Sequence, residues 1–124
     1  MILVDTSVWI EHLRTGHAEL ERQLELGRVL GHPWVTGELA LGRLDDRETI
    51  IALLEGLPTA AVATPIEVLS LIDDRRLHGT GIGYVDANLL ASALITPEAS
   101  ALWTLYRPLA AVTSELGYEF VGTG

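Results

Sequence analysis

Residues 1–13 read MILVDTSVWIEHL, and the fold follows from how this stretch changes character at its fifth position. Ile2, Leu3 and Val4 form a short unbroken apolar run, the pattern of a strand buried in a parallel sheet. Asp5 ends the run. Thr6 or Ser7 can then cap a helix whose face includes Val8, Trp9 and Leu13. A strand that stops at a carboxylate and passes directly into a helix is the repeating unit of an α/β domain.

The unit recurs along the chain. A helix is predicted over about 18–26, with Leu20 and Leu24 at i, i+4 spacing and Gly27 as its stop. Val29-Leu30 is a second short strand, and Pro33 opens a helix carrying Val35, Leu39 and Leu41, with Gly42 as C-cap. A helix over 48–57, an apolar strand over 60–63 and a helix opened by Thr64-Pro65 follow. Beyond a glycine-rich loop at 78–83, Ala87, Leu90, Ala91 and Leu94 match i, i+3, i+4, i+7 without a miss from Asp86 onward. A strand over 101–103, a helix over 108–116 and a last strand over 118–121 complete the order. Repeated β-then-α implies a central, mainly parallel sheet flanked by helices in three layers, α/β/α. With 124 residues and no repeat or linker, residues 1–124 are read as a single domain.

Composition narrows the chemistry. There is no cysteine, which excludes disulfides and thiolate metal sites and suits a reducing compartment. Eight basic residues face seventeen acids, for a formal charge of −9. All eight are arginines, so P-loop, Schiff-base and lysine-dependent phosphoacceptor chemistries are excluded. No apolar run approaches the roughly 20 residues needed to span a bilayer, and no basic n-region precedes the first strand. The expectation is a cytoplasmic protein with no membrane partner.

In a parallel sheet, polar residues just past the carboxyl ends of strands converge on one crevice. Asp5 follows the first strand, Thr104 and Tyr106 follow the strand at 101–103, and Asp86 stands in the first turn of the clearest helix. Glu38 sits among Trp34, Val35, Leu39, Ala40 and Leu41, where a carboxylate is costly to desolvate unless paired or metal-bound. Taken singly, Asp5 and Asp86 also suit helix starts through capping and the helix dipole. Taken together, converging carboxylates repel, and a divalent ion reverses that repulsion. Mg²⁺ takes oxygen ligands, and a bound ion can activate water against a phosphodiester.

At these residues the chain resembles the PIN-domain family, most closely toxin ribonucleases of VapC type. MILVDTSVWIEHL resembles the family's first strand, acid and helix, with Asp5 in the metal place and Ser7 as its polar neighbour. Glu38 in VTGELALG, Asp86 in GIGYVDANLLASAL and the closing LWTLYRPLAAVTSELG match the family's later segments in order. The resemblance implies a Mg²⁺- or Mn²⁺-dependent endoribonuclease cutting RNA with activated water. It implies Asp5, Glu38 and Asp86 as catalytic metal ligands, with Ser7, Asn88 and Thr104 as hydrogen-bonding neighbours. It also implies a VapB-type antitoxin partner and a homodimer. The acidic balance suits a basic antitoxin segment, and RNA contact falls to arginines, Arg107 and Arg14 foremost.

One position departs from the family. Where it commonly has an acid, two residues after the threonine of the last motif, this chain has Tyr106. A phenol is neutral at pH 7 and a poor ligand for a hard divalent ion. A natural variant with a weaker site, an inactivating substitution and a shifted register all stay open. The alternative function is a catalytically weakened PIN-like module that binds RNA or antitoxin without efficient cleavage. Other motifs carry less. GTGIG at 79–83 lacks the dinucleotide spacing, the four histidines lack zinc spacing, and no GxSxG elbow is present.

Overall fold

The computed structural model describes residues 1–122. Three short strands, β1 (Ile2–Val4), β2 (Val29–Leu30) and β3 (Ala101–Trp103), form a parallel sheet in the order β2-β1-β3. Seven helices complete the described chain: α1 (Thr6–Thr15), α2 (Ala18–Glu25), α3 (Pro33–Ala40), α4 (Arg47–Glu55), α5 (Pro65–Asp74), α6 (Tyr84–Ile95) and α7 (Arg107–Glu115). This is the α/β architecture expected of a PIN-like domain. No helix among the described residues is long and apolar enough to cross a membrane.

The strand order decides where a site can form. From β1 the chain crosses to one neighbour, β2, and later returns to the other, β3. The crossover direction therefore reverses at β1, and the crevice beyond the carboxyl ends of β1 and β3 is a switch point. Backbone pairing continues to that edge, where the Asp5 N–H donates to the Trp103 carbonyl at 2.8 Å. The central strand is sealed on both faces: Leu3 and Val4 are buried, as are Val8, Leu89, Leu90, Leu102 and Leu109 around them. Helices α6 and α7 pack on β3, α5 on α6, and α1 and α4 on α3. The position of Asp5 is thus set by a strand buried on both faces and paired to its end.

Two expected strands shrink to single bridges, and each for a visible reason. Over 60–63, the Ala60 N–H still reaches the Gly31 carbonyl, and Thr59 bridges Gly31. Beyond that, side chains of α6 and of its C-cap take the next donors: Ala61 N–H bonds Thr96 Oγ1 at 2.9 Å and Ala63 N–H bonds Ser92 Oγ at 3.2 Å. Donors satisfied by side chains need no ladder. At 118–121 only Glu119 bridges, to Leu102, while the Tyr118 carbonyl accepts from Leu102 N–H.

Several helix ends also differ from expectation. The first residue of α6 is Tyr84, two before Asp86, because the Asp86 carboxylate caps the Gly83 N–H from inside the first turn. The C-cap of α3 is Leu41 rather than Gly42. Neither Thr6 nor Ser7 caps α1; the N-cap is Asp5, without a side-chain capping bond.

Candidate active site

Freed from capping, the three residues Asp5, Thr6 and Ser7 are turned toward the crevice instead. Asp5 is buried, and its Oδ2 accepts two hydrogen bonds, from Ser7 Oγ and from Thr104 Oγ1, each at 2.7 Å. Both hydroxyl oxygens are themselves acceptors of backbone donors. Leu105 N–H bonds Ser7 Oγ at 3.0 Å, and Tyr106 N–H bonds Thr104 Oγ1 at 3.0 Å. With their oxygens so engaged, both hydroxyl hydrogens point at the carboxylate. Both bonds fall on Oδ2, so neither hydroxyl competes for Oδ1. The pairing crosses from the end of β1 to the end of β3, which is why residues 99 apart in sequence share one carboxylate.

Asp86 enters from the N-terminus of α6. Its Oδ2 accepts the Gly83 N–H at 2.8 Å. Its pKa is raised: burial is the largest cause, the Gly83 hydrogen bond works against it, and the negative charge of Asp5 adds to it.

Glu38 arrives differently from the sequence expectation. The desolvation argument does not apply, because Val35 and Leu39 are buried while Glu38 is exposed. It is aimed by Thr6, whose Oγ1 donates to Glu38 Oε1 at 2.6 Å. Thr6 was not singled out from sequence as a site residue; the DTS run, three consecutive polar side chains after a buried strand, was the available signal. Glu38 also borders a groove of about 650 Å³ between α1, α3 and the approach to α4, where Arg14 lies.

The other expected neighbours divide. Ser7 and Thr104 hold Asp5, whereas Asn88 is buried with its amide donated to the Tyr84 carbonyl of its own helix at 2.9 Å. Arg107 is the exposed first residue of α7, directly after Tyr106, and Arg14 is exposed in the last turn of α1. The Tyr106 hydroxyl donates to the Gly81 carbonyl at 2.7 Å.

Among the described residues, no group of three or more His, Asp or Glu side chains is gathered closely enough to hold a metal. The donor chemistry still fits a hard cation. Asp5 and Asp86 supply oxygen only, and Mg²⁺ commonly takes one or two protein carboxylates and keeps its waters. A cation held by both would also offset the smaller of the two causes that raise Asp86, the charge of Asp5.

A parallel α/β domain with a hydroxyl-braced carboxylate at its topological switch point belongs to the class of α/β domains with an acidic crevice. No family model matches the chain. Its sequence is 48% identical over 117 residues to Ribonuclease VapC32 of Mycobacterium tuberculosis strain H37Rv, covering 94% of each chain. The same identity and coverage hold for Ribonuclease VapC32 of strain CDC 1551 / Oshkosh. The chain belongs to the VapC-type PIN-domain ribonuclease family.

Proposed function

We propose that this protein is the toxin of a VapBC-type toxin–antitoxin pair, an endoribonuclease dependent on Mg²⁺ or Mn²⁺. The observation that supports this reading is the buried Asp5 at the carboxyl end of β1, its Oδ2 braced by the Ser7 and Thr104 hydroxyls, with its charge among the causes that raise Asp86. The 48% identity to a protein named as a ribonuclease supports the substrate class. A bound divalent ion would supply Lewis acidity toward a phosphoryl oxygen and lower the pKa of water. Asp5 and Asp86 would hold it. Glu38, exposed and oriented by Thr6, would accept a proton from the attacking water. Arg107 and Arg14 contact RNA phosphates, the planar guanidinium suiting that geometry.

The formal charge of −9 makes non-specific RNA binding weak and salt-sensitive. The same acidity favours an antitoxin that presents a basic segment near the acids. The working form is a homodimer in the cytoplasm.

Purified protein free of any bound partner, incubated with RNA and Mg²⁺, is expected to cleave it. Cleavage is lost in EDTA and in Asp5→Ala, the latter control excluding contaminating nucleases. Metal-independent RNA binding without cleavage contradicts the proposal.

Tyr106 favours a second reading, that of a catalytically weakened module, because no carboxylate stands at that position. Tyr106→Asp discriminates. A carboxylate facing a divalent ion at an effective dielectric of about 20 gains several kcal/mol, against about 1 kcal/mol for the lost phenol hydrogen bond. Mn²⁺ affinity by calorimetry should rise at least about tenfold, and cleavage with it. Equal affinity in the two proteins sinks the idea.

A further inference from the structure

The segment between α5 and α6 is rich in glycine, and three of its residues hold positive φ, Arg76 at 53°, Gly79 at 75° and Gly81 at 92°. Such backbone is conformationally permissive and needs outside restraint to keep one shape. One restraint comes from Tyr106, whose hydroxyl donates to the Gly81 carbonyl at 2.7 Å. Two residues further on, the Gly83 N–H donates to Asp86 Oδ2. At its other end Tyr106 donates its backbone N–H to Thr104 Oγ1, the hydroxyl that donates to Asp5 Oδ2. A single residue therefore touches the support of both carboxylates, through its backbone on one side and its side chain on the other.

We propose that Tyr106 is a positioning residue: its hydroxyl fastens the glycine loop at Gly81 and so fixes Asp86 relative to Asp5. Its consequence for metal binding rests on the ribonuclease reading above; the fastening of the loop does not. On this view the tyrosine is more than a missing ligand. It holds by geometry a pair of acids that an acid at the same position would help to join through a shared cation.

Tyr106→Phe tests this, since it keeps the ring and the backbone N–H and removes only the hydroxyl. Gly81→Ala approaches from the other end. A Cβ there would meet Pro108 at an ordinary 3.5 Å, so the perturbation comes from the positive φ and not from a clash. Each variant should speed hydrogen exchange of the Gly83 amide about fivefold, the weight of one neutral hydrogen bond. Each should weaken Mn²⁺ binding in calorimetry about fivefold. The Mn²⁺ concentration for half-maximal cleavage should rise by the same factor, with kcat at saturating Mn²⁺ held within about twofold. The double variant should be no worse than the worse single, because both loosen one contact.

A merely structural tyrosine would lower the melting temperature without moving the Mn²⁺ midpoint. Unchanged Gly83 exchange in Tyr106→Phe overturns the proposal, as does faster exchange with unchanged Mn²⁺ affinity. If the parent protein takes up no Mn²⁺, the metal-dependent reading fails, and the Gly83 exchange still decides whether Tyr106 holds the loop.

Discussion

Asp5→Asn is expected to lose RNA cleavage by about a hundredfold or more while the protein stays folded. The magnitude follows from comparison: removing a group that only orients a metal ligand typically costs 10- to 100-fold, so removing a ligand costs at least the upper end. Asparagine is the informative replacement because the Asp5 carboxylate is buried and accepts from two hydroxyls. Its amide oxygen can still accept, whereas alanine would leave both hydroxyl hydrogens facing an apolar void. Asparagine also removes the negative charge that helps to raise Asp86. In EDTA, the melting temperature of Asp5→Asn should therefore be no lower than that of the parent, a trade of stability against function common at charged sites. The measurement pairs a cleavage assay with thermal unfolding. Undiminished cleavage would remove Asp5 from the chemistry, and a collapsed melting temperature would mean that its role is structural.

The legibility of this site in the sequence was uneven, and the reasons are local. Ile2 to Asp5 could be read because a buried parallel strand and the residue that ends it are adjacent in the chain. Asp86 could be read because an acid in a helix's first turn is favoured by the same backbone donors it binds, here Gly83. Glu38 was placed on the right helix by an argument that fails, since its side chain is exposed; its orientation comes from Thr6, 32 residues away. Hydroxyl partners at such separations leave no periodic trace. The same holds for the 60–63 segment, whose apolar residues suggested a strand although Ser92 and Thr96 supply its hydrogen bonds. For His32 the sequence offers only the lack of zinc spacing shared by all four histidines. It could not show that the ring is buried and hydrogen-bonded at both nitrogens.

That ring carries the second large effect, a loss of stability on mild acidification. His32 is the N-cap of α3, and its Nδ1 accepts the Trp34 N–H at 3.0 Å. The neutral ring must then carry its proton on Nε2, which lies 2.9 Å from Ser92 Oγ and donates to it. Ser92 Oγ also receives the Ala63 N–H, so the histidine joins the start of α3 to α6 and the 60–63 segment. Protonating Nδ1 would put a donor against the Trp34 N–H and a charge in the interior. Burial accordingly lowers the His32 pKa from 6.5 to about 4. The unfolded chain takes up the proton below pH 6.5, and the folded protein refuses it until about pH 4. Stability contributed by the neutral ring is thus intact above pH 6.5 and lost as pH falls through that window. The loss amounts to about 2 kcal/mol by pH 5 and at most about 3 kcal/mol in all. In urea unfolding between pH 7 and 5, His32→Asn should show a flatter pH dependence than the parent by that difference. Asparagine retains an N-cap acceptor, and the carboxylates common to both proteins cancel in the comparison. Parallel pH profiles would mean that His32 does not titrate as its burial requires. A steeper fall in the parent would place the acid-sensitive joint at the base of the helix that carries Glu38, so that cleavage should fail at low pH partly through α3.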